Sequence, residues 1–103
     1  GIIVKNLINN FPEIANTFFS MTNNIQKCSA YSEKQNELIL IGIFASHGYE
    51  RGLKTHVIRA LNLGADKDEI YSSIVLGLPV VGIVNINSSL DIAKEIITEN
   101  EKL

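Results

Sequence analysis

The sequence predicts an all-α fold, and three observations carry that reading. Apolar residues recur at spacings of three and four, while strict alternation is rare. Three segments, Asn10–Glu13, Ser32–Gln35 and Asp66–Glu69, place a capping residue three positions ahead of Glu or Gln, as helix starts do. Hydrophobic residues form 46 % of the 103-residue chain, enough for a packed core in one domain. A single domain of five or six helices is expected, without linker, repeat or low-complexity segment.

Residues 2–9 read as a short amphipathic turn or helix. In Asn10-Phe-Pro-Glu13, Asn10 is expected to cap the next helix, with Pro12 in its first turn and Glu13 reaching back. Phe11, Ile14, Ala15, Phe18, Met21, Thr22 and Ile25 follow at helical spacing to about Lys27. Ser32-Glu-Lys-Gln35 opens the run ELILIGIFA, which is apolar on every face. A helix from Ser32 to His47 is expected there, buried all round at the centre of the domain or of an oligomer. A buried strand is the alternative, because isoleucine is frequent; the cap and the length favour helix.

Gly48 offers a break or a close contact. Tyr49 to Leu63 then reads as a helix with Leu53, Val57, Ala60 and Leu61 on one face, ended by Gly64. Asp66 caps a helix carrying Ile70, Ile74, Val75 and Leu78, which Pro79 must kink or end. Ile83, Ile86, Leu90, Ala93 and Ile97 form the stripe of a long last helix reaching about Glu99.

Composition removes several function classes. The net charge is −2, charges of both signs are interspersed, and Arg51 and Arg59 are the only arginines. No basic stripe is present, so no nucleic-acid partner is expected. Cys28 is the only cysteine, which excludes an intramolecular disulfide and a cysteine-based zinc site. Cys28 reads as a small buried or semi-exposed side chain rather than a nucleophile. No apolar stretch approaches the roughly 20 residues of a membrane span, and no membrane partner is expected. The first residues lack the pattern of a secretory signal, so the expected location is the cytoplasm. No cofactor is expected, since GxGxxG and GxxxxGK[ST] are absent. A mean hydropathy of +0.15 in so short a chain predicts uncovered apolar surface and hence a homo-oligomer.

The two histidines, His47 and His56, fall in ASHGYERGLKTHVIRAL, residues 45–61. His56 lies beside Leu53, Val57 and Ala60 and is either a satisfied core histidine or a functional one. The functional reading needs a partner, and Glu37, at the start of the most hydrophobic helix, is the candidate. A carboxylate on one imidazole nitrogen fixes the tautomer and raises basicity at the other. His47 and Glu50 are three apart, but no dense set of ligating residues surrounds them, so no metal is expected. His47 suits a helix C-terminus. Gly48-x-x-x-Gly52 reads as close backbone packing.

The segment from Glu37 to Gly82 resembles the carboxymuconolactone decarboxylase and alkylhydroperoxidase D-like superfamily. Thiol-active members carry Glu, eleven residues, Cys, two residues, Cys, three residues, His. Glu37 and His56 match this pattern in type and spacing, while Tyr49 and Gly52 stand at the two cysteine positions. Leu53, His56, Ala60, Gly64 and Glu69-Ile70 follow the next part of the pattern, and Gly82 falls where members often have glycine. The resemblance implies an all-α subunit around a central antiparallel helical hairpin, assembled as trimers or hexamers. It implies either thiol-dependent peroxide reduction, an antioxidant or oxygen-detoxifying oxidoreductase activity, or lyase chemistry on a muconolactone-type acid. Tyrosine and glycine can neither attack a peroxide nor resolve a sulfenic acid, so the dithiol route is not expected. The expected catalytic pair is His56 and Glu37, with Tyr49, Gly52 and His47 around it as pocket or proton relay, acting on a small-molecule ligand. The other expectations are a non-catalytic ligand-binding oligomer and a peroxide-linked role for Cys28 between subunits.

Overall fold

The computed structural model of the protein describes residues 4–103. Among them it contains seven helical segments and no strand: α1 (Lys5–Asn10), α2 (Pro12–Cys28), α3 (Glu33–His47), α4 (Glu50–Asn62), α5 (Lys67–Val75), α6 (Leu78–Val81) and α7 (Ile83–Glu101). The chain divides into two compact units, one running to Ala30 and the other from Tyr31 to Leu103.

In the first unit, α1 starts at Lys5; the expected helical residues 2 and 3 lie outside the described residues. Asn10 does not cap α2. It is the last residue of α1, and its side-chain amide donates to the Asn6 carbonyl. Phe11 takes the N-cap position without a side-chain bond, and Pro12 occupies the first turn, where its missing N–H costs nothing. Of the stripe expected along α2, only Ala15 is buried, while Phe11, Ile14, Phe18, Met21 and Ile25 are exposed. Cys28, the last residue of α2, is also exposed, rather than buried or semi-exposed.

The second unit is built on the hairpin α3–α4. Ser32 accepts from the Gln35 amide at 3.1 Å, and Gln35 accepts from the Ser32 amide at 3.0 Å, so the expected capping box forms. Asp66 and Glu69 form the same box at the start of α5. Lys34 reaches Glu69 at 3.0 Å and ties the two helix starts together. The Asp66 amide, with the Lys34 ammonium beside it, holds the Glu69 carboxyl below the usual carboxylate range.

At its other end α3 stops because Gly48 adopts φ +69°, a left-handed conformation that costs glycine little. Two side chains of α7 donate to carbonyls in the last turn of α3. Asn85 donates to the Ser46 carbonyl at 3.1 Å and Ser89 to that of Ala45 at 3.4 Å.

The core collects Ile41 and Ala45 of α3, Leu53, Val57 and Ala60 of α4, Ile70 and Ile74 of α5, and Ile86, Ala93 and Ile97 of α7. The α4 face is thus the expected one, with Leu61 packed against its edge. Three expectations need correction. Within one chain, helix α3 is not buried all round: Ile39 and Ile43 are exposed, because only one side of it meets α4, α5 and α7. Helix α5 stops at Val75, well before Pro79, and neither Val75 nor Leu78 is in the core. Proline instead sits in the first turn of the four-residue α6, which Gly82 ends. That extra turn is why seven segments form rather than six. Ile83, expected on the inner stripe of α7, is exposed in the first turn after Gly82.

Candidate functional site

Glu37 and His56 meet across the hairpin. Glu37 lies in the second turn of α3 and His56 midway along α4, and the antiparallel course of the two helices brings them side by side. His56 Nδ1 is hydrogen-bonded to Glu37 Oε2. The side chains retain only 13 % and 9 % of their exposure, respectively. A carboxylate so enclosed requires a partner, and the imidazole supplies it. Among the described residues no enclosed side-chain nitrogen or oxygen lacks a partner. Among the described residues no partner of His56 Nε2 is seen, and this nitrogen is not wholly enclosed. In the tautomer that carries its proton on Nδ1, that nitrogen donates to the carboxylate and Nε2 keeps its lone pair, which is the arrangement of a general base.

A ladder of four rings continues from the pair to the surface. Phe44 stacks on the His56 imidazole with centroids 4.9 Å apart and planes 18° from parallel. Tyr49 meets Phe44 edge-on at 6.5 Å, and His47 stacks on Tyr49 at 5.1 Å. His47 and Tyr49 flank the α3–α4 turn, both exposed, and neither is hydrogen-bonded to Glu37 or His56. Gly52 sits one turn before His56 on α4, under the Phe44 ring.

Phe44 escaped the sequence reading because a phenylalanine in an apolar helical run reads as core. A usable signal was present. Glu37 and Phe44 are seven apart in α3, and Gly52 and His56 four apart in α4, so each pair shares a helical face. Turning the chain at Gly48 lays those faces against each other.

A family model, the carboxymuconolactone decarboxylase family, matches residues 12–95. The chain belongs to the carboxymuconolactone decarboxylase family. No curated protein matches it. The match spans Glu37, Tyr49, Gly52 and His56, so this family member departs from the thiol pattern inside the matched region. Among its described residues, no group of three or more His, Cys, Asp and Glu is arranged to hold a metal ion, and no helix is long and apolar enough to cross a membrane. The shallow depression beside Glu13, Ile14, Thr17, Phe18 and Met21 lies along one face of α2, open to solvent and without convergent polar groups.

Proposed function

We propose that this family member carries out acid/base, lyase-type chemistry on a small organic acid or lactone, without cysteine. The observation that supports this most is the enclosed Glu37–His56 pair with His56 Nε2 left open. Nε2 takes a proton from the bound ligand. The imidazolium so formed is stabilised by the Glu37 carboxylate, and the same proton returns to another ligand atom as a bond cleaves. In a decarboxylation the carbon that loses CO₂ keeps the electron pair and receives that proton. Tyr49, with His47 beside it, stands at the solvent side of this path. Exposed apolar residues, Ile39 and Ile43 among them, support a homo-oligomer, a trimer or hexamer by family, and the cytoplasm is the proposed location.

The deciding variant is His56→Gln. We expect turnover to vanish while the melting temperature stays close to wild type. A large loss of stability, with no turnover of carboxylates or lactones by the wild type, would sink the reading. A second reading is favoured by the near-complete cover over both partners: the pair is structural, in a ligand-binding oligomer. Thermal-shift screening with small carboxylates, lactones and peroxides separates the two, because a true site ligand stabilises by mass action. Peroxide reduction through a dithiol has no support in a chain with Tyr49 and Gly52 at the motif positions.

A further inference from the structure

We infer that Phe44 is the positioning residue of His56, and that position 52 is glycine because the Phe44 ring occupies its side-chain space. The use of that positioning in catalysis rests on the acid/base reading above; the positioning itself does not.

A single hydrogen bond at Nδ1 fixes one atom of the imidazole. The ring can still swing about that bond, since the second side-chain torsion of histidine is broad. A flat partner removes the remaining freedom. Glu37 acts in the ring plane and Phe44 against the ring face, 4.9 Å away and 18° from parallel. Together they set the direction in which Nε2 points.

The cost of this arrangement appears one turn earlier on α4. A Cβ built on Gly52 would lie 2.3 Å from Phe44 Cε1 and 2.4 Å from Cδ1, well inside contact distance. Any side chain at position 52 must therefore push the ring away from its seat over His56. Tyr49, edge-on to Phe44 at 6.5 Å, backs the ring on the side of the turn. The two positions where this chain lacks the family's cysteines are thus both spent on seating one aromatic ring.

The test uses the full chain labelled with ¹⁵N-histidine, read by NMR in mildly alkaline buffer. In the wild type, Nδ1 should resonate as a protonated nitrogen and Nε2 as a bare one, well separated. The carbon-bound ring protons of His56 should lie upfield of random-coil positions, under the Phe44 ring. In Phe44→Leu the His56 ring signals should broaden and the bonded Nδ1 proton should exchange faster as the ring swings about its bond to Glu37, and Phe44→Tyr should restore the wild-type pattern. Gly52→Ala should give the same change as Phe44→Leu, and adding it to Phe44→Leu should change nothing further. Unshifted ring protons in the wild type would overturn the inference, and that measurement needs no variant to fold. So would a folded Phe44→Leu or Gly52→Ala with the His56 pattern intact. Once a substrate is in hand, Phe44→Leu should lower turnover about 10²-fold, as a misplaced group does. Turnover sensitive to His56→Gln but not to Phe44→Leu would sink this inference and leave the acid/base reading standing. The expected NMR pattern in a chain without turnover would do the reverse.

Discussion

His56 has two nitrogens with different fates, and that asymmetry is what a proton-transfer site requires. Glu37 supplies it by holding Nδ1, at a depth where a lone carboxylate would be expensive. Glu37→Ala should therefore destabilise the protein by about 1–3 kcal/mol, because it leaves an enclosed imidazole nitrogen without a partner. Glu37→Gln can still accept from Nδ1 and should cost less. Urea midpoints of the two variants measure the difference; equal losses would mean that neither packing nor the hydrogen bond that Gln can keep contributes, and that only the carboxylate charge matters. The pairing was legible in the sequence, from residue type and a separation of nineteen positions. Phe44 was legible only as sharing a face with Glu37, because its stacking on His56 depends on how the two helices face each other. Tyr49 was legible as a departure from the thiol pattern, but its place against Phe44 came only with the turn at Gly48.

At the scale of elements, the helix starts were read correctly where a polar residue stands free of the preceding helix. Ser32 and Asp66 follow non-helical residues and cap as expected. Asn10 carries the same spacing but belongs to α1, and the backbone of its own helix claims its side chain. Proline was read correctly as a breaker, yet α5 ends four residues before it at Val75. Local rules name the breaker without saying how far ahead of it the helix unwinds. The Glu69 box gives a pH prediction. Its carboxyl ionises at lower pH in the folded chain than in the unfolded one, since the Asp66 amide and Lys34 favour the charged form. The contribution is therefore present above the ordinary glutamate value of about 4.3 and is lost as pH falls through the lower folded value. Glu69→Gln should melt below wild type near neutral pH, and the gap should close in acid. A gap that persists unchanged at low pH would mean that the charge contributes nothing. Lys34 is exposed enough for salt to narrow the gap as well.

For the molecule as a whole, the apolar residues divide into two populations. One fills the core between α3, α4, α5 and α7. The other faces solvent: Phe11 at the N-cap of α2, Ile14 and Ile25 on α2, Ile39 and Ile43 on α3, and Leu76, Val80 and Val84 around α6. Composition foretold that surplus but not its location, since periodicity marks the apolar face of a helix and not which of its neighbours will cover it. The homo-oligomer proposed above predicts a melting temperature that rises with protein concentration, and a sedimentation mass well above that of one chain. A concentration-independent melt with a monomer mass would remove the oligomer from the proposal.

The contact between Gly52 and Phe44 also bears on the history open to such a sequence. A cysteine placed at position 52 would land against an aromatic ring already seated there. It would disturb the Glu37–His56 geometry before any second thiol was present to make use of it. The order of substitutions therefore matters: Phe44 must shrink first, and that step alone gives up the stack on His56 while gaining no redox function.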